Sequence, residues 1–301
     1  MKKVTVIIPT YNMEKYITGA VDSALNQTYE NCEIIVIDDG STDNTFNILK
    51  RYNNKIRYIK QDNKGLACAR NVGIKKSIGD YIALLDADDI WLPDRLTTEV
   101  KILDDFPEVG LVHSSAYWIN ENGKKLTNPD EKRKYCSGYI SKYIISRKSN
   151  IYCPTVLFRK SCVDDVGNFD AHLTKLGVED RDLWYRIALK YKIKYVDKPL
   201  AKYRYREDSM SKNIKKMQKA RYYMINKYFP NKKYKLNIKR RKLLSDLHLS
   251  QGDGIAWRNN NYLKAIIEYI KAIKYFPLNF FIYYHLLKVI IKKIIKFQKG
   301  V

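Results

Sequence analysis

Along the first 110 residues the apolar positions switch between two periods. Continuous apolar runs at residues 4–9, 33–37, 56–59 and 81–85 read as strands, and between them the spacing relaxes to that of helices. Ile17, Ala20, Val21, Ala24 and Leu25 share one helical face. Phe46, Ile48 and Leu49 mark a second helix, with Ser41 or Thr42 as its cap, and residues 66–76 form a third. This alternation is that of βαβ units, and strands apolar throughout are buried on both faces. The prediction is an α/β, Rossmann-like, mostly parallel sheet flanked by helices. Ligands of such sheets bind beyond the carboxyl ends of the strands. Three strand ends carry polar clusters: Thr10-Tyr11-Asn12, Asp38-Asp39 and Asp86-Ala87-Asp88-Asp89. Any one of these is explained by a strand running into its turn. Three on one sheet edge make a site.

Further along, the period is less regular. Residues 109–118 and 155–158 read as strands, whereas 120–149 are polar and without a clear period. A helix opens at Val178 and runs to about Lys192, with Glu179, Asp180 and Asp182 where the helix dipole favours acids. From about residue 212 the chain reads as helical. Asn261-Tyr262-Leu263-Lys264-Ala265, Tyr269, Ala272 and Pro277 match the second helix of a tetratricopeptide repeat, whose small residues admit a neighbouring helix. One copy predicts a helical hairpin, not an array. Residues 279–297 set Lys288, Lys292, Lys293 and Lys296 among Leu, Val, Ile and Phe. Two readings stay open there: an amphipathic helix lying on a membrane, or the closing helix of the hairpin with its lysines solvated.

Composition changes this picture through charge. With 45% hydrophobic and 29% charged residues among 301, the chain can bury a core, and disorder is not expected. The net charge of +24 is unevenly placed. Residues 1–110 hold 14 Lys and Arg against 17 Asp and Glu, residues 111–211 hold 20 against 12, and residues 212–301 hold 22 against 3. A basic tail of that size implies a polyanionic neighbour. No module interleaves aromatic and basic residues as nucleic-acid readers do, so an anionic membrane surface is favoured over nucleic acid. The five cysteines lack CxxC or metal-type spacing, which fits reduced thiols in the cytosol. The first apolar run is too short for a signal peptide, and none nears the roughly 20 residues of a membrane-spanning helix. The expected location is cytoplasmic, peripheral at the cytosolic face of the membrane.

The clusters suggest chemistry. Once the strand through Leu85 stops, Asp86 and Asp88 can converge on one cation, and hard oxygen ligands select Mg²⁺ or Mn²⁺, which in turn binds a diphosphate. The competing reading, a polar turn with a helix cap before Trp91-Leu92-Pro93, suits Asp89. Arg70 follows the helix-opening Lys64-Gly65 and is the one cation offered to an anionic nucleotide or its base. Glu179 and Asp180 are either dipole-favoured surface acids or hold a general base.

Taken in order, Val6-Ile7-Ile8-Pro9-Thr10-Tyr11-Asn12, Ala24-Leu25-Asn26-Gln27-Thr28, the run from Glu33 through Asp38-Asp39-Gly40-Ser41 to Asp43, Asn63-Lys64-Gly65, Ala69-Arg70-Asn71-Val72-Gly73, Leu85-Asp86-Ala87-Asp88-Asp89 and Gly177-Val178-Glu179-Asp180-Arg181-Asp182-Leu183-Trp184 form a specific set. Through them the chain resembles the family 2 inverting glycosyltransferases, which have a GT-A fold. The resemblance covers roughly residues 3–211. It implies a GT-A domain over 1–211, with a nucleotide-sugar half to about 110 and an acceptor half after it, followed by a basic, tetratricopeptide-like helical region over 212–301. It also implies roles. Pro9, Tyr11, Asp39 and Arg70 would hold the base of a nucleotide-sugar, and Asp86 would lie near ribose and metal. Asp88 would ligate Mn²⁺ or Mg²⁺. Asp180 would be the general base, with Glu179 at the acceptor. Many relatives carry Tyr-Arg-x-His followed by two serines, where this chain has Tyr203-Arg204-Tyr205-Arg206 and then residues 207–211. Arg206 cannot ligate a metal but binds phosphate in two-pronged fashion. The expected activity moves a sugar, from a UDP-sugar by default, to a glycan or lipid-linked acceptor in surface polysaccharide or glycoconjugate synthesis. A homodimer is compatible with this. Two alternatives are a nucleotidyltransferase, which would need a Gly-rich basic loop after the first strand, and a non-catalytic interaction protein.

Overall fold

The apolar runs become the centre of one sheet. The computed structural model describes residues 1–127, 135–206, 214–230 and 237–298, and groups the chain into two units, Met1–Lys212 and Asn213–Val301. The first begins with β1 (Val4–Thr10), α1 (Ile17–Leu25), β2 (Cys32–Asp38), α2 (Thr45–Leu49), β3 (Arg57–Lys60), α3 (Leu66–Lys76) and β4 (Tyr81–Leu84). These four strands are parallel, as expected from βαβ crossovers, with Val6 opposite Ile34 on one side and Ala83 on the other. Every residue of β1 is buried. Helix α3 lies close against it: a Cβ on Gly73 would stand 2.5 Å from Ile7 Cγ2.

Beyond β4 the sheet is mixed. The chain continues through β5 (Ile90–Trp91), α4 (Arg95–Asp105), β6 (Val109–Ile119), β7 (Lys125–Leu126), α5 (Ser141–Ile145), β8 (Val156–Arg159), α6 (Lys160–Val166), α7 (Glu179–Lys190) and β9 (Lys192–Arg204). The strand order is β3-β2-β1-β4-β8-β6-β9-β5, with β7 paired to β6. Strand β8 runs antiparallel to both β4 and β6, whereas β9 is parallel to β6. The sequence pattern did not reveal β9. Its lysines interrupt the apolar alternation, and Pro199, which cannot donate to a ladder, sits at the register shift opposite Ser115.

Two capping expectations are corrected. Helix α2 starts at Thr45, not after Ser41 or Thr42, and Asp43 Oδ1 accepts the Thr45 N–H at 3.0 Å. Ser41 and Thr42 instead tie the ends of β1 and β2 together. Ser41 Oγ accepts from Asn12 N at 3.0 Å, and Asn12 Oδ1 accepts from Thr42 N at 2.8 Å. Asn12 takes a left-handed φ of 54°, which a short amide side chain tolerates. Asp89 is no helix cap either, because the next residues form β5 and the helix begins only at Arg95.

The second unit contains α8 (Ile214–Tyr228), α9 (Ile238–Asn259), α10 (Tyr262–Tyr275) and α11 (Phe280–Gln298). Ala256, Ala265, Tyr269, Ala272, Ile282 and Val289 form its main core. A Cβ on Gly252 would meet the Tyr269 ring at 2.4 Å, so α9 and α10 approach as closely as the alanine pattern implies. Inside, Asp253 Oδ1 accepts the Tyr269 hydroxyl at 2.8 Å and lies 2.6 Å from His285 Nδ1. Leu287, Ile291, Ile294 and Ile295 of α11 are exposed. No helix among the described residues is long and apolar enough to cross a membrane. Residues 207–211 and the Lys296 side chain lie outside the described residues.

Candidate active site

The polar strand ends meet at one edge of the first unit, as the βαβ pattern requires. At the β2 end Asp38 is fully buried and structural: its carboxylate accepts from Ser41 N at 2.8 Å and from Tyr58 Oη at 2.6 Å. Asp39 holds the loop leading into α3. Its oxygens accept from Gln61 Nε2 at 2.6 Å, Lys64 N at 2.9 Å and Gly65 N at 2.7 Å. Gly65 is needed there, since its φ is +89° and a Cβ would stand 2.4 Å from Thr174 Cγ2. Pro9 is buried in β1, and Tyr11 is exposed at the strand end.

Arg70 on α3 is only 2% exposed, and its charge is already used. Nη2 binds Asp86 Oδ1 at 2.8 Å, and Nη1 binds Glu179 Oε1 at 2.9 Å. The guanidinium therefore joins the donor-side strand end to the start of α7, where the sequence reading had placed it free at a nucleotide base. Glu179 is buried with it rather than open to an acceptor, and its Oε2 has no hydrogen-bond partner among the described residues. Burial pushes the Glu179 carboxyl up to about 7, Arg70 pulling it down and Asp180 raising it. Asp180 is partly exposed, and its Oδ1 accepts from Arg181 N at 2.6 Å. Burial raises its pKa above the usual carboxylate range against the pull of Arg70 and Arg181.

The acids after β4 are held from β9. Asp89 Oδ1 accepts from Arg204 N at 2.6 Å, and Arg204 Nε donates to Asp88 O at 2.7 Å. Asp89 thus anchors β9 beneath the site. Burial, then the charges of Asp88 and Asp86, raise its carboxyl well above the normal range. Asp88 pairs with Arg206 at 3.1 Å, so this arginine lies on the acid cluster as its place in the motif implied. Burial and Asp86 still push Asp88 up to about 6. Tyr203, the first residue of the Tyr-Arg-x-Arg motif and given no role from the sequence, lies near the end of β9. Burial and the charges of Asp89, Asp86, Asp88 and Asp180 raise its phenol pKa, so the phenol stays protonated.

The crowding also bears on a metal. Burial first, and then the neighbouring acids, disfavour the charged forms of Asp88 and Asp89, a strain that a hard divalent cation would relieve. Asp86 and Asp88 are the carboxylates that could hold it. Among the described residues no three side chains of ligating type cluster, so further ligands would come from a diphosphate and water.

Comparison with known proteins settles the class. The profile of glycosyl transferase family 2 matches residues 5–167. The chain belongs to glycosyl transferase family 2. A Rickettsia felis protein described as an uncharacterized glycosyltransferase is 35% identical over 216 residues, covering 70% of this chain and 35% of that protein. The chain thus spans about a third of that relative's length. Among solved structures, S. aureus TarS 1-349 in complex with UDP-GlcNAc superposes with a TM-score of 0.66 at 19% identity, covering 99% of this chain and 92% of that one. The mannosyltransferase PcManGT of Pyrobaculum calidifontis, in complex with GDP-Man and Mn²⁺, gives 0.62 at 18% identity over 97% and 87%. These likenesses establish the GT-A-type fold of this family 2 member.

Proposed function

We propose that this glycosyltransferase inverts the anomeric centre of a nucleotide-sugar, UDP-linked by default, as it passes the sugar to a hydroxyl of a glycan or lipid-linked acceptor. Residues 1–211 would form the transferase domain. The observation that carries the reading is the Arg70 bridge, which holds the Asp86 strand end and the helix start bearing Glu179 and Asp180 together. Asp180 is the more exposed of the two acids at that helix start, and its raised pKa suits a base that takes the acceptor's proton. The residues fit Mn²⁺ or Mg²⁺ at Asp86 and Asp88, where the ion when bound would neutralise the departing diphosphate. Tyr11, exposed at the end of β1, would stack on the base, and Pro9 and Asp39 would line the same pocket.

The basic second unit supports peripheral attachment to an anionic membrane, where lipid-linked acceptors reside. Its surplus of 21 cationic against 3 acidic residues and the exposed apolar residues of α11 both favour that site.

The test is a transfer assay with a panel of nucleotide-sugars, together with thermal stabilisation by each donor with and without Mn²⁺. Asp180→Asn should keep donor stabilisation while transfer falls by roughly 10²–10⁴-fold. Asp88→Asn should lose the part of that stabilisation that depends on Mn²⁺. Wild-type transfer in both variants would overturn the assignment.

A further inference from the structure

Each carboxylate suited to a divalent ion already faces an arginine, but the two arginines are held differently. Arg70 is buried between Asp86 and Glu179, fixed at both ends of its guanidinium. Arg206 lies two residues past Arg204, the last residue of β9. Its Nη1 is 3.1 Å from Asp88 Oδ2 and 3.0 Å from the weak acceptor Met13 Sδ. Its guanidinium lies 5.6 Å from the centre of the Tyr16 ring, which Arg204 also faces at 4.8 Å. The Arg206 and Asp88 side chains are 14% and 20% exposed, shielded enough for the pair to be poorly screened and open enough to part.

A cation that ligates Asp88 must share or displace this guanidinium, because two positive centres on one carboxylate oxygen repel. A nucleoside diphosphate changes the balance, since a guanidinium freed from Asp88 can bind its phosphate oxygens in two-pronged fashion. We infer that Arg206 is a displaceable counter-ion of Asp88, which keeps a divalent cation weakly bound until a nucleoside diphosphate arrives to take the arginine. The inference rests on the metal placement of the proposed function and assigns the site its order: cation and diphosphate bind cooperatively through Arg206. Arg206 is a positioning residue in this account.

The test reads Mn²⁺ affinity directly, by calorimetry and by the spin-resonance signal of free Mn²⁺, with the full chain and no sugar transfer. Without nucleotide, Arg206→Met should bind Mn²⁺ about tenfold more tightly than wild type, the size of an ordinary coupling between sites. Arg206→Lys, which keeps the charge, should stay weak, and Asp88→Asn should remove the site in either background. Added UDP should tighten Mn²⁺ binding in wild type several-fold more than in Arg206→Met. Equal Mn²⁺ affinity of wild type and a folded Arg206→Met, judged by its thermal melt, would overturn the inference. So would Mn²⁺ binding that Asp88→Asn leaves intact. Loss of transfer in Asp180→Asn bears only on the proposed reaction.

Discussion

Replacing Arg70 by Met tests whether the carboxylates around it depend on one buried charge. The substitution keeps much of the side chain's length and leaves Glu179, buried at 3% exposure, without its counter-ion. Removing one partner of a buried ion pair costs about 3–5 kcal/mol when the other partner stays charged. Glu179 has an escape, because burial already holds its carboxyl near 7. The folded value lies above the ordinary carboxylate value, so the folded state holds the extra proton. Its contribution to stability is complete below about pH 4.5 and is lost as the pH rises through 7. Arg70 lowers that value, and its loss moves the carboxyl further up.

The penalty of Arg70→Met must therefore grow with pH. At pH 6 Glu179 is neutral in both proteins, and the variant loses little more than hydrogen bonds, about 1–2 kcal/mol. At pH 8 wild type holds a paired carboxylate while the variant must protonate or expose it. The loss should then approach 3 kcal/mol, increasing by at most about 1.4 kcal/mol per pH unit. Urea midpoints followed by tryptophan fluorescence measure this, since Trp91, Trp118 and Trp184 all lie in the first unit. In a Glu179→Gln background the same substitution should cost the same at both pH values. An equal penalty for Arg70→Met at pH 6 and pH 8, or one below about 1 kcal/mol at pH 8, would refute the reasoning.

A second buried pair predicts a pH slope away from the site. Arg95 and Glu99 are fully buried at 3.1 Å, and burial pushes Glu99 up to about 8. Stability should fall between pH 5 and 8 with a slope of at most about 1.4 kcal/mol per unit from this group, and Glu99→Gln should flatten that part of the curve. On the second unit, the triple substitution of Leu287, Ile291 and Ile294 by Ser should weaken sedimentation with anionic vesicles even at high salt. Removing residues 279–301 should weaken it most at low salt, where basic residues count most. Undiminished vesicle binding in both would exclude α11 as the membrane contact.

The four parallel strands and the helices between them were legible because burial on both faces leaves an unbroken apolar run, a signal contained within single windows. The strand ends were legible for the same reason, since polarity resumes where burial stops. What windows do not contain is pairing. Arg70 meets Glu179 across 109 positions, and Asp89 meets Arg204 across 115. Without its distant pairing with Glu179, Arg70 read as a cation waiting for a nucleotide, and without β9 Asp89 read as the cap of a helix that starts six residues later. The partners of these residues lie far along the chain, in α7 and in the mixed half of the sheet. That half is encoded by alternation broken with lysines and Pro199.

Those pairings also divide the charge differently. The first 110 residues carry a small acidic excess and the next hundred a basic one, and regional counting treats both as surface. In the structure Arg206 pairs with Asp88 and Arg186 with the fully buried Asp182, while the Arg204 guanidinium donates to the backbone oxygens of Asp88, Asn120 and Glu121. Part of the middle region's basic charge is therefore held inside the fold rather than spread over its surface. The second unit has no comparable store of acids, with only 3 against 21 cationic residues over 213–301. Asp253 and Glu268, two of those three, are already occupied, by Tyr269 and His285 and by His248 and Lys271. The electrostatic demand for an external polyanion thus falls on the helical unit, and the arginines of the first unit answer to carboxylates and, by the inference above, to a diphosphate.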